Sequence, residues 1–206
     1  YQKELVQIHQ EKVSNELIET QATLNNPDIV KYKKFQDLDE ANQETLRQIL
    51  LDNRELYYKN KDKNAATFKT AFQGIVDSSM MSNVGQFKDI IKAIYKISNY
   101  QICLTKIDTK EYKTVVYDSK QNTDSLHRMK VSHETLLEYG LKIVDKYDTL
   151  KKIIINKFPY ILIDEYQDTA ENVIKIINLL SMYSEQINYN LFIGYFGDTA
   201  QNIYDI

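Results

Sequence analysis

Through the first hundred positions, apolar residues recur with a helical rhythm, and near the end of the chain they gather into two short unbroken runs. In residues 1–26 the spacing of Val6, Val13, Leu17, Thr20 and Leu24 places one stripe along a helix otherwise covered by Gln, Glu and Lys, and Asn25-Asn26-Pro27 ends it. A second helix is predicted over 38–58 on Leu38, Ala41, Thr45, Ile49 and Leu56, and a third over 65–76 on Phe68, Phe72 and Ile75. Ser82 or Asn83 caps a fourth, with Val84, Phe87, Ile91, Ile94 and Tyr95 on its inner face. Thr114 to Tyr117 favour a strand, with a hairpin turn expected around Asp108-Thr109-Lys110. After a polar loop at 119–130, Ser132 caps a helix carrying Leu136, Leu137, Ile143 and Val144, and Asp148 opens a short helix to Asn156. The last segment alternates: strand 160–163 after Pro159, helix 170–183 on Val173, Ile176, Ile177 and Leu180, then strand 191–196. Such a β-α-β order implies parallel strands, and continuous Ile/Leu in the first predicts burial on both faces.

Composition narrows the class without naming a chemistry. The 206 residues are 43% hydrophobic and 27% charged, ordinary for a globular protein. No apolar stretch approaches the roughly 18 residues that span a bilayer, and Tyr-Gln-Lys-Glu-Leu is no secretory signal, so a cytoplasmic protein without membrane association is expected. Cys103 stands alone, which excludes an internal disulfide, and His9, His127 and His133 lack metal-ligand spacing. The net charge of −3 rules out a globally basic nucleic-acid wrapper but not a local basic groove, for which Lys59, Lys61, Lys63 and Lys69 are candidates.

Both apolar runs stop at acids. Asp164-Glu165-Tyr166-Gln167-Asp168 follows the first, and Gly197-Asp198 follows the second about thirty residues later. Ligands of parallel sheets bind beyond the carboxyl ends of the strands, so these groups are expected to share one crevice. Asp168 or Thr169, with Glu171, also suits a helix cap.

These segments resemble motifs of UvrD/Rep-type superfamily 1 DNA helicases. Asp164 to Asp168 fit the DExQD box, and Gly197-Asp198-Thr199-Ala200-Gln201-Asn202-Ile203-Tyr204 fits the GDxxQxIY box. Val131 to Leu137 stands where the family has a V-D-F-x-x-L-L-like segment, with Ser132 and His133 departing from it. The resemblance implies an α/β fold: a partial RecA-like parallel β-α-β core preceded by a mainly helical insertion subdomain. Residues 1–130 would be that 1B-like insertion, and 131–206 part of the first RecA-like ATPase domain.

By the same resemblance Asp164 is the Mg²⁺-associated acid and Glu165 the carboxylate that handles the attacking water. Gln201 senses the γ-phosphate, while Gln167, Asp168 and Asp198 serve the nucleotide. Tyr204 lies on the DNA side, and Ile206 replaces a tryptophan common in the family. The implied function is ATP-dependent translocation on single-stranded DNA and unwinding of duplex, in repair for instance, with ATP and Mg²⁺ as cofactors. Partly duplex DNA and the remaining helicase domains are the implied partners. An alternative reading is a helicase-like regulatory or docking module of a nuclease or of a DNA-repair or defence complex, with the nuclease as partner.

No glycine is followed by Lys-Ser/Thr, so a phosphate loop is missing from these residues. Together with Tyr1 at the start and Tyr204 so near the end, this leads to the expectation of a fragment, inactive as an ATPase by itself.

Overall fold

The first helix, α1 (Gln2–Asn25), follows the predicted stripe, with Val13 and Leu24 fully enclosed. The computed structural model describes residues 1–120 and 122–198. These fall into two units, one of residues 9–112 with 126–128, the other of the remaining described residues.

In the first unit α2 (Lys33–Gln36), α3 (Glu40–Asp52), α4 (Arg54–Asn60), α5 (Ala65–Phe72) and α6 (Val84–Asp108) follow α1. Side-chain caps fix where three of them start. Asp39, Asn64 and Asn83 accept from the backbone N–H of Asn42, Thr67 and Gln86 at 2.8, 2.9 and 3.2 Å. The single helix predicted over 38–58 is two helices. Asn53 divides them, its amide donating to the Ile49 carbonyl at 2.8 Å in competition with the helical ladder. Phe68, Phe72 and Phe87 are fully buried with Leu50, Ile90 and Ile91, and the Phe72 and Phe87 rings meet edge to face at 6.0 Å.

The predicted hairpin at 108–110 is absent. The buried stripe of α6 continues through Tyr100, Cys103 and Ile107, so the helix runs on to Asp108, and Lys110 leaves it at φ 60°. His9 is wholly enclosed, its Nε2 lying 2.8 Å from the Leu126 carbonyl, which the Cys103 thiol also reaches at 3.6 Å. A histidine with no metal spacing is thus part of the packing that holds residues 126–128.

The second unit takes in residues 2–8 of α1 and then β1 (Val116–Tyr117), paired in parallel with β2 (Lys130–Val131). Then come α7 (His133–Lys146), α8 (Asp148–Lys157), β3 (Tyr160–Ile163), α9 (Glu171–Gln186) and β4 (Phe192–Tyr195). Ser132 caps α7 through the Thr135 N–H, and Asp124 accepts from the Ser132 N–H and the Thr135 hydroxyl, both at 2.7 Å. Val144, Ile155 and Leu180 form the core among α7, α8 and α9, with Ile161 packed against it.

Strands β3 and β4 are parallel, with Tyr160 opposite Phe192 and Ile163 opposite Tyr195. Burial of β3 on both faces is not observed. Ile163 is buried, but Tyr160 and Leu162 are 73% and 63% exposed, because among the described residues the helices cover one face only. The chain is therefore mixed α/β, largely helical, with short parallel sheets.

Candidate functional site

The ladder between β3 and β4 does not stop where the strands do. Phe196 N–H donates to the Ile163 carbonyl at 2.8 Å, and Tyr166 N–H donates back to the Phe196 carbonyl at 2.9 Å. These two bonds tie the turn that follows β3 to the residues that follow β4. The acidic segment and Gly197-Asp198 are therefore neighbours by backbone hydrogen bonding.

Within the turn, Glu165 adopts the left-handed conformation, φ 49° and ψ 50°. A non-glycine residue there is uncommon and costs free energy, so its surroundings must hold it. Three contacts do so. Asp164 Oδ1 accepts from the Glu165 N–H at 3.0 Å, the Glu165 carbonyl accepts from the Asp168 N–H at 2.9 Å, and the Thr169 hydroxyl donates to the same carbonyl at 3.3 Å. The Glu165 carboxylate is also oriented, because Gln167 Nε2 donates to its Oε2 at 2.6 Å.

Gly197 completes the arrangement from the other strand. A Cβ on Gly197 would stand 2.2 Å from Gln167 Oε1 and 3.1 Å from the Tyr166 nitrogen, so the Gln167 side chain occupies the place a Cβ would need, with backbone close behind. The Gln167 amide thus sits between the carboxylate it holds and the backbone of the second motif.

Asp164, Glu165, Asp168 and Asp198 are exposed. None of Asp164, Glu165 and Asp168 forms an ion pair among the described residues. Unneutralised carboxylate oxygens at a strand end match what Mg²⁺ takes from a protein: one or two carboxylates, the rest supplied by water and phosphate. No cluster of three metal-ligating side chains exists among the described residues. Gln201 and Tyr204, together with Ile206, lie outside the described residues.

Helix capping by Asp168 or Thr169 is corrected by the geometry. Ala170 is the N-cap residue of α9 without a side-chain bond, while Thr169 turns back to Glu165. Glu171 instead pairs with Lys175 at 2.7 Å, which holds its carboxyl below the usual value. The left-handed Glu165 and the crowding at Gly197 were not foreseen from the chain. The one signal available was a glycine directly ahead of an acid at a strand end.

A family model described as the UvrD/REP helicase N-terminal domain matches residues 2–206. The chain belongs to this family. It is also 48% identical over 209 residues to Gabija protein GajB of Bacillus cereus (strain HuB5-5). That alignment takes in 100% of this chain and 30% of the relative, so the chain spans under a third of the protein it matches. No solved structure matches it. Among the described residues, no helix of this UvrD/REP-type chain is long and apolar enough to cross a membrane.

Proposed function

We propose that the chain supplies part of the first RecA-like domain, with its 1B-like insertion, of an ATP-dependent DNA helicase or translocase. In this reading 1–130 is the insertion and 131–206 the ATPase part. The reading is carried by one observation: the acidic turn leaves a parallel strand, is bonded to the end of the neighbouring strand, and presents Glu165 in a conformation the turn must hold. Preorganised carboxylates are what phosphoryl transfer asks of a protein, since its catalysis is mostly positioning and charge stabilisation.

The residues divide the work by their chemistry. Asp164 would hold the Mg²⁺ that accompanies the nucleotide, whose chemistry is to offset negative charge on the phosphates. Glu165 accepts a proton from, or orients, the attacking water. Gln167 fixes the Glu165 carboxylate through its 2.6 Å bond, and Asp168 and Asp198 maintain the paired turns. Gln201 contacts the γ-phosphate and Tyr204 stacks on a base of single-stranded DNA. Tight ATP binding needs a phosphate loop supplied by other residues of a longer protein, so this chain by itself hydrolyses no ATP.

Glu165→Gln in the longer protein tests the assignment. It keeps the size of the side chain and removes its charge, so DNA-stimulated hydrolysis should fall by at least about 100-fold while nucleotide affinity stays within a few-fold. Turnover near that of the unsubstituted protein rejects the role of Glu165.

A further inference from the structure

The helical unit has a groove of its own, about 460 Å³, between α4 and the middle of α6. That volume lies in the range of small-ligand sites. It is built wholly from this unit and uses neither Asp164 nor Glu165. Lys88, Lys92 and Lys96 recur every four residues along α6 and line one side, with Lys61, just past α4, also at the groove.

Between them stands Tyr58, 54% exposed. Its ring is backed by Tyr57 at 5.5 Å and Tyr95 at 6.1 Å, both buried. Tyr95 is pinned in turn, its hydroxyl donating to the Leu50 carbonyl at 2.7 Å and its ring lying 4.7 Å from the Arg54 guanidinium. Held from behind and 54% exposed, Tyr58 is a stacking platform, over which the Lys61 ammonium lies 6.0 Å from the ring centroid on a flexible side chain that can swing toward a phosphate.

The charges leave room for an anion. Lys92 and Lys96 have carboxylate partners in Asp89 and Glu16 at 3.4 and 2.8 Å, and Lys61 reaches Asp62 only at 3.9 Å. Lys88 donates to the Lys61 carbonyl at 2.6 Å, a neutral acceptor that a phosphate oxygen outcompetes by charge. At the rim, His127 is held below its ordinary pKa by burial and then by Arg128 and Arg54. Its neutral ring both donates and accepts, and Asn99, which also lines the groove, has its Oδ1 engaged by Arg54 at 2.8 Å and keeps its amide N–H groups to donate.

We infer that this groove binds one nucleotide unit, with an unpaired base stacked on Tyr58, the base edge toward Asn99 and His127, and phosphate among Lys61, Lys88 and Lys92. The unit comes either from a single strand or from a free nucleotide, and the two sources share the recognition chemistry.

Anisotropy with labelled oligothymidylate and with labelled thymidine monophosphate, at several salt concentrations, separates them in the full chain. Tyr58→Ala should weaken binding about tenfold, while Tyr58→Phe stays within about twofold because the ring face remains. Joint Lys61→Gln and Lys88→Gln substitution should flatten the dependence of log affinity on log salt by roughly 0.7 per phosphate released. Binding of the oligonucleotide alone assigns the site to a strand, and binding of both probes admits a free nucleotide. A 5-iodouracil probe should cross-link to Tyr58, which keeps the assignment testable if Tyr58→Ala fails to fold. No binding of either probe, undiminished binding by a folded Tyr58→Ala, cross-linking elsewhere, or a loss seen in Glu165→Gln instead overturns the inference.

Discussion

Leu50, Phe68, Phe72 and Phe87 in the helical unit have no exposed surface, whereas β3 in the sheet unit leaves Tyr160 and Leu162 mostly open and β4 leaves Phe192 55% open. The register puts Tyr160, Leu162, Phe192 and Gly194 together on that open side. A Cβ on Gly194 would meet Leu162 at 3.0 Å, so the bare face is already crowded within its own plane. One region satisfies its hydrophobic residues by itself, and the other bears the candidate chemistry on a sheet covered from one side. The helical unit therefore owes its stability to its own core, while the acidic turn is held by ladder bonds at the end of β3, whose Ile161 packs against the core of α7, α8 and α9.

The two units should differ sharply in how much a single apolar truncation destabilises them. Phe72→Ala should cost the helical unit about 3–5 kcal/mol, the usual penalty for emptying an enclosed aromatic site. Leu162→Ala should cost less than about 1 kcal/mol in this chain, because little of the side chain leaves water on folding. Urea midpoints at constant slope measure both. Equal losses would show that the sheet face is covered after all. If further strands of a longer protein complete the sheet, Leu162→Ala should cost about 2–4 kcal/mol there, and the contrast between the two contexts locates the missing cover.

A smaller effect sits where the two motifs meet. Gly197→Ala must displace Gln167 Oε1, which is cheap because that atom ends a flexible side chain, and must also crowd the Tyr166 nitrogen, which is backbone. The expected stability cost is about 1–2 kcal/mol. Gln167→Ala should relieve roughly 0.5–1 kcal/mol of it, a coupling that a double-mutant cycle reads directly. In the longer protein, Gly197→Ala should lower hydrolysis more than stability, since the displaced amide is the one that holds Glu165. Additive single effects would mean that the Gln167 amide does not feel Gly197.

Sequence pattern found the elements whose stripes are unmixed and missed those decided by one polar residue. The α5 stripe of Phe68 and Phe72 and the parallel β3-α9-β4 order were legible because period and length agree. Asn53 was not, because splitting a helix depends on where one amide points, and the end of α6 was not, because Tyr100 and Cys103 continue a stripe that the surrounding polar residues disguise. His9 lies four residues before Val13 on the same face of α1, yet a histidine reads as surface until the Leu126 carbonyl is seen to satisfy it. At the candidate site, the residue types were legible from the two motifs. The left-handed Glu165 and the backbone bonds joining the turns were not, since they follow from the register of strands thirty residues apart.

The smallest expected effect uses the enclosure of the helical unit as its own reporter. Cys103 has no exposed surface and burial pushes its thiol from 9.0 up to about 11, with Lys106 opposing weakly. Burial likewise raises Tyr57 and Tyr100, and takes Tyr95 to about 12. All four groups are easier to ionise when unfolded. The stability they contribute is thus complete below about pH 9 and declines as pH rises through the folded values. Alkylation of Cys103 by iodoacetamide at pH 8 should be far slower than that of a free thiol and should accelerate with urea in step with loss of helicity. Cys103→Ala should shave the alkaline decline between about pH 9 and 11 without removing it, because the three tyrosines remain. Fast alkylation in the native chain would show that the helical core opens as readily as the sheet face stands open.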